Sequence, residues 1–181
     1  MKDFEIYRMF GRLIGEITSR LSVEDAYLPK LHRRNGDTKQ SLEALLAVVR
    51  ERQTPITAGQ RQAFNELCAA YELSSAGVGN LREIPEADPE TVRDAARMAR
   101  ERLKERIDAM MDAWTAGFDE QHAQTLRNVV WAGDPAVGLY DLSASLAAKG
   151  IAMPAADRDE LRDLLMTFGE PLDAWIKIPV G

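Results

Sequence analysis

The 181-residue chain has little of the material that most catalytic and metal sites need: one cysteine, Cys68, and two histidines, His32 and His122. One cysteine excludes an internal disulfide, and its position in an apolar helical register favours a buried thiol over a nucleophile. The histidines lie in different segments, with no carboxylate or cysteine at a metal-binding spacing. Since phosphate-binding glycine loops and nucleophile elbows are also missing, we predict no metal site, no cofactor and no catalytic residue.

Long apolar runs are missing as well. No stretch approaches the ~20 apolar residues that a membrane span needs. Residues 1–5 are not a basic region followed by an apolar stretch, which a secretory signal requires. We therefore expect a cytoplasmic protein that has no membrane partner.

Basic residues are outnumbered, 23 against 29 acidic ones, which gives a formal net charge of −6. This balance disfavours nucleic acid as a partner, because such binding depends on neutralising phosphates with Lys and Arg. It is compatible with a cationic protein partner and equally with simple solubility.

The pattern of apolar residues is helical throughout. They recur at spacings of three and four, as on one face of an amphipathic helix. Asp37 and Asp134 are typical helix N-caps, and Thr57 with Gln60 forms a predicted capping box. Apart from the pair Ile176 and Ile178, which could form a short strand, no segment alternates as a strand does. The sequence predicts an all-α fold.

One apolar pattern occurs twice, at an offset of 97 residues and without a gap. A fixed offset with apolar character kept at each position indicates a structural unit used twice, in this case a helical hairpin. The first copy consists of Gly36, Asp37, Leu42, Leu45, Val49, Ile56, Phe64, Leu67, Cys68 and Tyr71. The second consists of Gly133, Asp134, Leu139, Leu142, Leu146, Met153, Leu161, Leu164, Leu165 and Phe168.

The longest predicted helix begins at Asp88-Pro89 and carries a heptad-like seam from Val92 to Trp114, which includes Leu103, Ile107 and Met110. We predict a single all-α domain, residues 1–181: a helical bundle of two pseudo-repeated hairpins braced by this long central helix. The first half covers residues 1–76, an acidic and proline-bounded linker covers 77–88, and the second half covers 89–181.

Acidic clusters and two tryptophans are the candidate binding residues. Acids at helix starts are often solvated surface, but the clusters could also form an electronegative face that holds a basic partner. Exposed aromatic residues are enriched at the centres of interfaces. The candidates are Glu83, Glu86, Asp88, Asp157, Asp159, Glu160, Asp163, Trp131 and Trp175.

The segment 126–169 resembles helical immunity proteins of bacterial polymorphic-toxin and contact-dependent growth inhibition systems. In those proteins a helix ends in Gly-Asp or Gly-Glu, and a leucine-rich helix, an Ile-containing turn and a last helix follow. Gly133-Asp134 begins this pattern here, while the first copy fits its middle better, with 41–45 and the turn 55–57. The second copy departs from it at Gly138 and Tyr140.

The resemblance implies an immunity protein that binds a cognate toxin domain, often a nuclease with a basic cleft, and neutralises it by stoichiometric occlusion rather than by catalysis. It assigns no binding residue. Two other interpretations remain: a scaffolding module that self-associates through the long helix, and an enzyme that uses paired carboxylates. The seam would be exposed in the first case, and two acids would converge in a pocket in the second. The oligomeric state is left open.

Overall fold

The computed structural model describes residues 3–73 and 81–181, and within these ranges it contains eight α-helices and no β-strand. The all-α prediction is confirmed. In chain order the helices are α1 (Asp3–Thr18), α2 (Val23–Arg34), α3 (Thr38–Glu51), α4 (Ala58–Ala70), α5 (Pro89–Thr115), α6 (Glu120–Trp131), α7 (Pro135–Lys149) and α8 (Ala155–Phe168). None of the helices in the described ranges is both long and apolar enough to cross a membrane.

The chain divides into two compact units, unit 1 (Met1–Arg100) and unit 2 (Glu101–Gly181). The boundary therefore falls inside α5, later than the predicted linker. Residues 74–80, which include the end of the predicted first half and the first part of that linker, lie outside the described residues.

Each unit has a hydrophobic core of its own. In unit 1 the core is formed by Phe10, Leu13, Ile14, Ile17, Leu42, Leu45, Leu46, Val49, Ile56, Phe64, Leu67, Cys68, Leu81 and Ile84. In unit 2 it is formed by Ile107, Met110, Met111, Phe118, Ala123, Leu126, Leu139, Leu142, Leu146, Met153, Leu161, Leu164, Leu165 and Ile178.

The hairpin helices begin at side chains that satisfy free backbone donors. The Asp37 carboxylate accepts the N–H of Gln40 at 3.1 Å, and the Asp134 carboxylate accepts that of Val137 at 3.3 Å. Each aspartate follows a glycine with positive φ, +80° at Gly36 and +98° at Gly133. At the start of α4 the predicted capping box is confirmed.

The local structure recurs at the offset of 97 beyond the predicted hairpins. Helices α2 and α6 begin at residues 23 and 120 and end at residues 34 and 131. Further towards the N-terminus, the buried hydroxyl of Thr18 donates to the Ile14 carbonyl at 2.7 Å, and the buried hydroxyl of Thr115 donates to that of Met111. In these features the last part of α5 in unit 2 matches α1 in unit 1.

Four residues that we call the strap close each hairpin: 84–87 in unit 1 and 178–181 in unit 2. In unit 1, Ile56 donates its N–H to the Pro85 carbonyl at 2.9 Å and accepts the N–H of Ala87 at 3.0 Å. In unit 2, Met153 makes the same two bonds with Pro179 and Gly181, at 3.0 and 2.9 Å. A turn of 3₁₀ helix, Leu81–Glu83 or Trp175–Lys177, precedes each strap.

The strap corrects two expectations. The described part of the predicted linker is packed structure, because Leu81 and Ile84 are buried in the core of unit 1. Its acidic, proline-bounded composition concealed two apolar residues at a spacing of three. The open alternative of a strand through Ile176 and Ile178 is also wrong, since this segment is a 3₁₀ turn and the only residue of the tail that bridges to Met153 is Val180.

Helices α6 and α7 approach each other closely at Gly138. A methyl group at Gly138 would lie 2.4 Å from Cγ2 of Val130 and 3.4 Å from the Val130 backbone nitrogen. We expect Gly138→Ala to lower the free energy of unfolding by about 1–3 kcal/mol, since an overpacked contact must relax. Urea denaturation followed by circular dichroism measures this.

Gly15→Ala is the matched control, because Gly15 is a helical glycine with nothing within 4 Å of the added methyl group. We expect it to raise the stability by about 0.5–1 kcal/mol, because alanine loses less backbone entropy on folding. A Gly138→Ala variant as stable as the parent protein would contradict the close contact.

Candidate functional site

The three predicted acids around the linker lie in unit 1, and one of them, Asp88, caps a helix. The Asp88 carboxylate accepts the backbone N–H and the hydroxyl of Thr91, at 2.8 and 2.9 Å, and so caps α5. These bonds, the backbone one foremost, lower the pKa of Asp88. Glu86 lies in the strap and Glu83 in the 3₁₀ turn before it, and both side chains are exposed.

The predicted acids of α8 lie in unit 2, where most of them already have a cationic partner. Glu160 accepts two hydrogen bonds from Arg106, at 2.7 and 3.1 Å. Asp163 pairs with Arg162 at 2.9 Å, and Asp159 lies 3.8 Å from the same guanidinium. The bond to Glu160 raises the pKa of Arg106. Glu160 therefore links α8 to α5, whereas the pairs of Asp159 and Asp163 with Arg162 stay within α8.

The two predicted tryptophans have different surroundings. Trp175 is half-buried against the core of unit 2, and its indole N–H donates to the Arg158 carbonyl at 2.7 Å. The Arg158 guanidinium stacks 3.9 Å from the centre of the Trp175 ring and donates to the Ile178 carbonyl. Trp175 is thus a lid on the core. Trp131, at the end of α6, is 66% exposed.

The structure does not bring the predicted residues together as one site within either unit. Glu83, Glu86 and Asp88 belong to unit 1, and Asp157, Asp159, Glu160, Asp163, Trp131 and Trp175 belong to unit 2. Asp157, which is half-buried, stands beside the arginine-paired acids of α8.

Sequence reasoning missed a second acidic surface, on α5 in unit 2. Its four residues, which we call the acidic stripe, are Glu101, Glu105, Asp108 and Asp112. Their spacing of four, three and four places them along one helix face over about 16 Å. Asp108 is half-buried and the other three are exposed.

The acidic stripe differs from the acids of α8 because its charges are not neutralised. Within the described part of the chain, none of the four carboxylates makes an ion pair or a hydrogen bond. Lys104 lies beside the stripe on the same helix, and it makes no ion pair with any carboxylate of the described residues. The signal was present in the sequence as a helical spacing, but it was hidden among the arginines and lysine that alternate with these acids.

The total charge is distributed unequally between the two units. Residues 1–100 contain 15 basic and 15 acidic side chains, whereas residues 101–181 contain 8 basic and 14 acidic ones. Unit 1 is thus formally neutral and unit 2 carries the entire charge of −6. Since the two units share their local structure, the fold itself does not require this charge.

The same comparison shows which exposed apolar residues the fold does not need. In unit 2, Trp131, Ile176 and Val180 are 66, 65 and 62% exposed. An offset of 97 places Arg34 at the position of Trp131. The strap offset of 94 places Arg82 and Glu86 at the positions of the other two. Charged residues therefore suit these positions, and the apolar ones are available for contact with another molecule.

The remaining chemically active groups have structural surroundings. His122 lies 3.0 Å from the Ser145 hydroxyl and stacks on Phe118. A shallow hollow of about 390 Å³ in unit 1 is lined by Glu5, Arg8, Met9 and Arg12, with one acid among them. In the described ranges, no three His, Cys, Asp or Glu side chains are arranged to hold a metal ion.

Burial raises the pKa of the Cys68 thiol to about 11. Because the thiolate is the nucleophilic form, we expect the folded protein to resist alkylation by iodoacetamide at pH 8, while the urea-unfolded chain reacts at the rate of a free thiol. Mass spectrometry of the alkylated chain over time measures both rates. Equal rates in the two states would show that Cys68 is accessible.

In comparisons with known proteins, no family model matches this chain, and no curated protein or solved structure matches it either.

Proposed function

We propose that this chain is an inhibitory binding protein, an immunity protein that occludes the active site of a cationic toxin domain such as a nuclease. The observation that carries the proposal is the unequal charge: of the two compact units, only unit 2 has a net negative charge. A general need for solubility would favour acidic residues on both units alike. Charge concentrated on one unit instead favours a binding surface.

The acidic stripe is the part of unit 2 best suited to this role. Its carboxylates have no cationic partner within the described residues, so an incoming Lys or Arg does not have to displace one. Unpaired charges of one sign attract a cationic partner over a screening length of about 10 Å at 0.1 M salt, which speeds encounter. Early capture is what an inhibitor of a damaging enzyme needs.

The predicted acids of α8 have a smaller part in this proposal. Glu160 and Asp163 are held by Arg106 and Arg162, so their potential is partly cancelled. Replacing Glu160 by lysine would also leave Arg106 facing a like charge. If that variant lost binding, the loss could come either from damage to unit 2 or from the missing contact with the partner.

The alternative interpretation, a scaffold that self-associates through the seam of α5, needs the seam residues to be exposed. Ile107 and Met110 are each 5% exposed in the core of unit 2, and Leu103 packs against the same core. The seam is therefore occupied within the chain.

The experiment takes as the partner the C-terminal domain of the open reading frame found immediately upstream of the gene for this chain. Glu105→Lys with Asp108→Lys reverses two charges of the acidic stripe. We expect the association rate constant to fall about tenfold or more at low salt and to approach that of the parent protein at about 0.5 M salt. Stopped-flow fluorescence at several salt concentrations measures this.

Glu43→Lys with Glu51→Lys is the control, since it changes the net charge equally on exposed positions of α3 in unit 1. Equal association rate constants for the two double variants would show that the acidic stripe does not attract the partner. The immunity role itself is abandoned if the parent chain binds no neighbouring toxin domain at about nanomolar concentration and co-expression protects no cell.

A further inference from the structure

Helix α1 of unit 1 presents a surface that the proposed function does not use. Phe4 and Tyr7 are 68 and 55% exposed. The Arg8 guanidinium lies 5.7 Å from the centre of the Phe4 ring, and that of Arg33 lies 6.0 Å from the centre of the Tyr7 ring. We call these four residues the aromatic–arginine face.

Among the residues that the structure describes, the arginines of this face have no acidic ion-pair partner. Within the described ranges, neither Arg8 nor Arg33 makes an ion pair with a carboxylate, and Arg12, beside Arg8 in the shallow hollow, makes none either. A guanidinium over an aromatic ring still has donors directed outward for a carboxylate. The face therefore fits an anionic partner that also covers two rings.

The repeat shows that the fold does not require this face. At the offset of 97, Phe4 and Tyr7 correspond to Glu101 and Lys104 in unit 2. Two exposed aromatic rings at positions where the other copy has charged residues are more than the local structure needs.

Next to the two rings, α1 carries glycines in place of larger side chains. Gly11 and Gly15 follow Phe4 and Arg8 along one side of the helix. Gly15 is exposed, with nothing within 4 Å of an added methyl group, and the end of Arg33 lies 3.1 Å from the methyl position of Gly11. The Arg33 guanidinium thus covers Gly11, whereas Gly15 leaves the α1 backbone open to another helix.

The acidic stripe of a second copy is the partner that this surface fits. Residues 4, 8, 11 and 15 of α1 correspond, at the offset of 97, to Glu101, Glu105, Asp108 and Asp112. Of these four α1 residues only Arg8 is charged, and it occupies the position of Glu105, so the two helix faces carry charges of opposite sign at that position. A contact between two different surfaces of identical copies is a heterologous, head-to-tail contact, and complementary charges favour it over contact between two acidic stripes.

We propose that two copies of this chain associate through the aromatic–arginine face of one and the acidic stripe of the other. The contact leaves one surface of each kind open at the ends, so association continues with concentration unless the second pair also closes. Because a cationic partner would use the same stripe, self-association and partner binding compete. The association itself needs no partner and stands or falls independently of the immunity role.

Sedimentation velocity of the parent chain tests the proposal directly. From about 500 mM to about 20 mM salt the screening length rises from roughly 4 Å to roughly 20 Å. We expect the weight-average mass to exceed the monomer value of 20.2 kDa at low salt, to rise with protein concentration and to return to that value at high salt. A mass of 20.2 kDa under all conditions would overturn the proposal.

Charge reversal identifies the surfaces. Arg8→Glu with Arg12→Glu, and separately Glu105→Arg with Asp108→Arg, should each weaken self-association about tenfold or more. Lys39→Glu with Arg50→Glu is the matched control on exposed positions of α3. Circular dichroism verifies that each variant is folded.

Mixing the two defective variants gives the decisive readout. The first keeps an intact acidic stripe and the second keeps an intact aromatic–arginine face, so the mixture should form a heterodimer although neither variant associates alone. Failure of the mixture to associate, or an effect of the control equal to that of Arg8→Glu with Arg12→Glu, would contradict the assigned surfaces.

Discussion

The connection between the two helices of each hairpin imposes the constraint on which the fold depends. Ile56 and Met153 lie in these connections and are fully buried, yet neither is part of a helix. A buried backbone N–H or C=O without a partner is costly, so another segment must supply both bonds. The straps do so, through Pro85 and Ala87 in unit 1 and through Pro179 and Gly181 in unit 2. The chain must therefore return across each hairpin.

This return also organises the surface. The first residue of each strap, Ile84 or Ile178, is buried in the core of its unit. An arginine of the second hairpin helix donates to its carbonyl: Arg61 to Ile84 at 3.0 Å and Arg158 to Ile178 at 3.1 Å. The outward positions are then free to differ, and they do: Glu86 in unit 1 and Val180 in unit 2. A shared scaffold with divergent outward positions gives the chain two surfaces of opposite chemistry.

The fold could be predicted from the sequence where one local rule decided the structure. Caps at Asp37, Thr57 and Asp134 and apolar residues at helical spacing depend on neighbours in the chain. The correspondence of α1 with the end of α5 was not visible, because most paired core positions, such as Phe10 and Ile107, differ in residue type, and the identical pair Thr18 and Thr115 is too short a match to reveal it. The straps were hidden because the offset changes from 97 to 94 before Trp175.

The candidate surfaces could be predicted only in part, because charge in a sequence does not reveal ion pairing. In the sequence, nothing distinguishes Glu160 from the acids of the stripe. In the structure Glu160 is paired with Arg106, which lies 54 residues away in the chain. The exposure of Trp131 likewise depends on packing that its sequence neighbours do not determine. Function follows from which charges and rings remain open once the units are folded.

Native-state hydrogen exchange at the strap amides tests the central claim, that one fold with one set of closing bonds is used twice. The amides of Ile56 and Ala87 in unit 1, and of Met153 and Gly181 in unit 2, should all exchange orders of magnitude more slowly than in an unstructured chain. Protection in one unit, with exchange at the unstructured rate in the other, would contradict it.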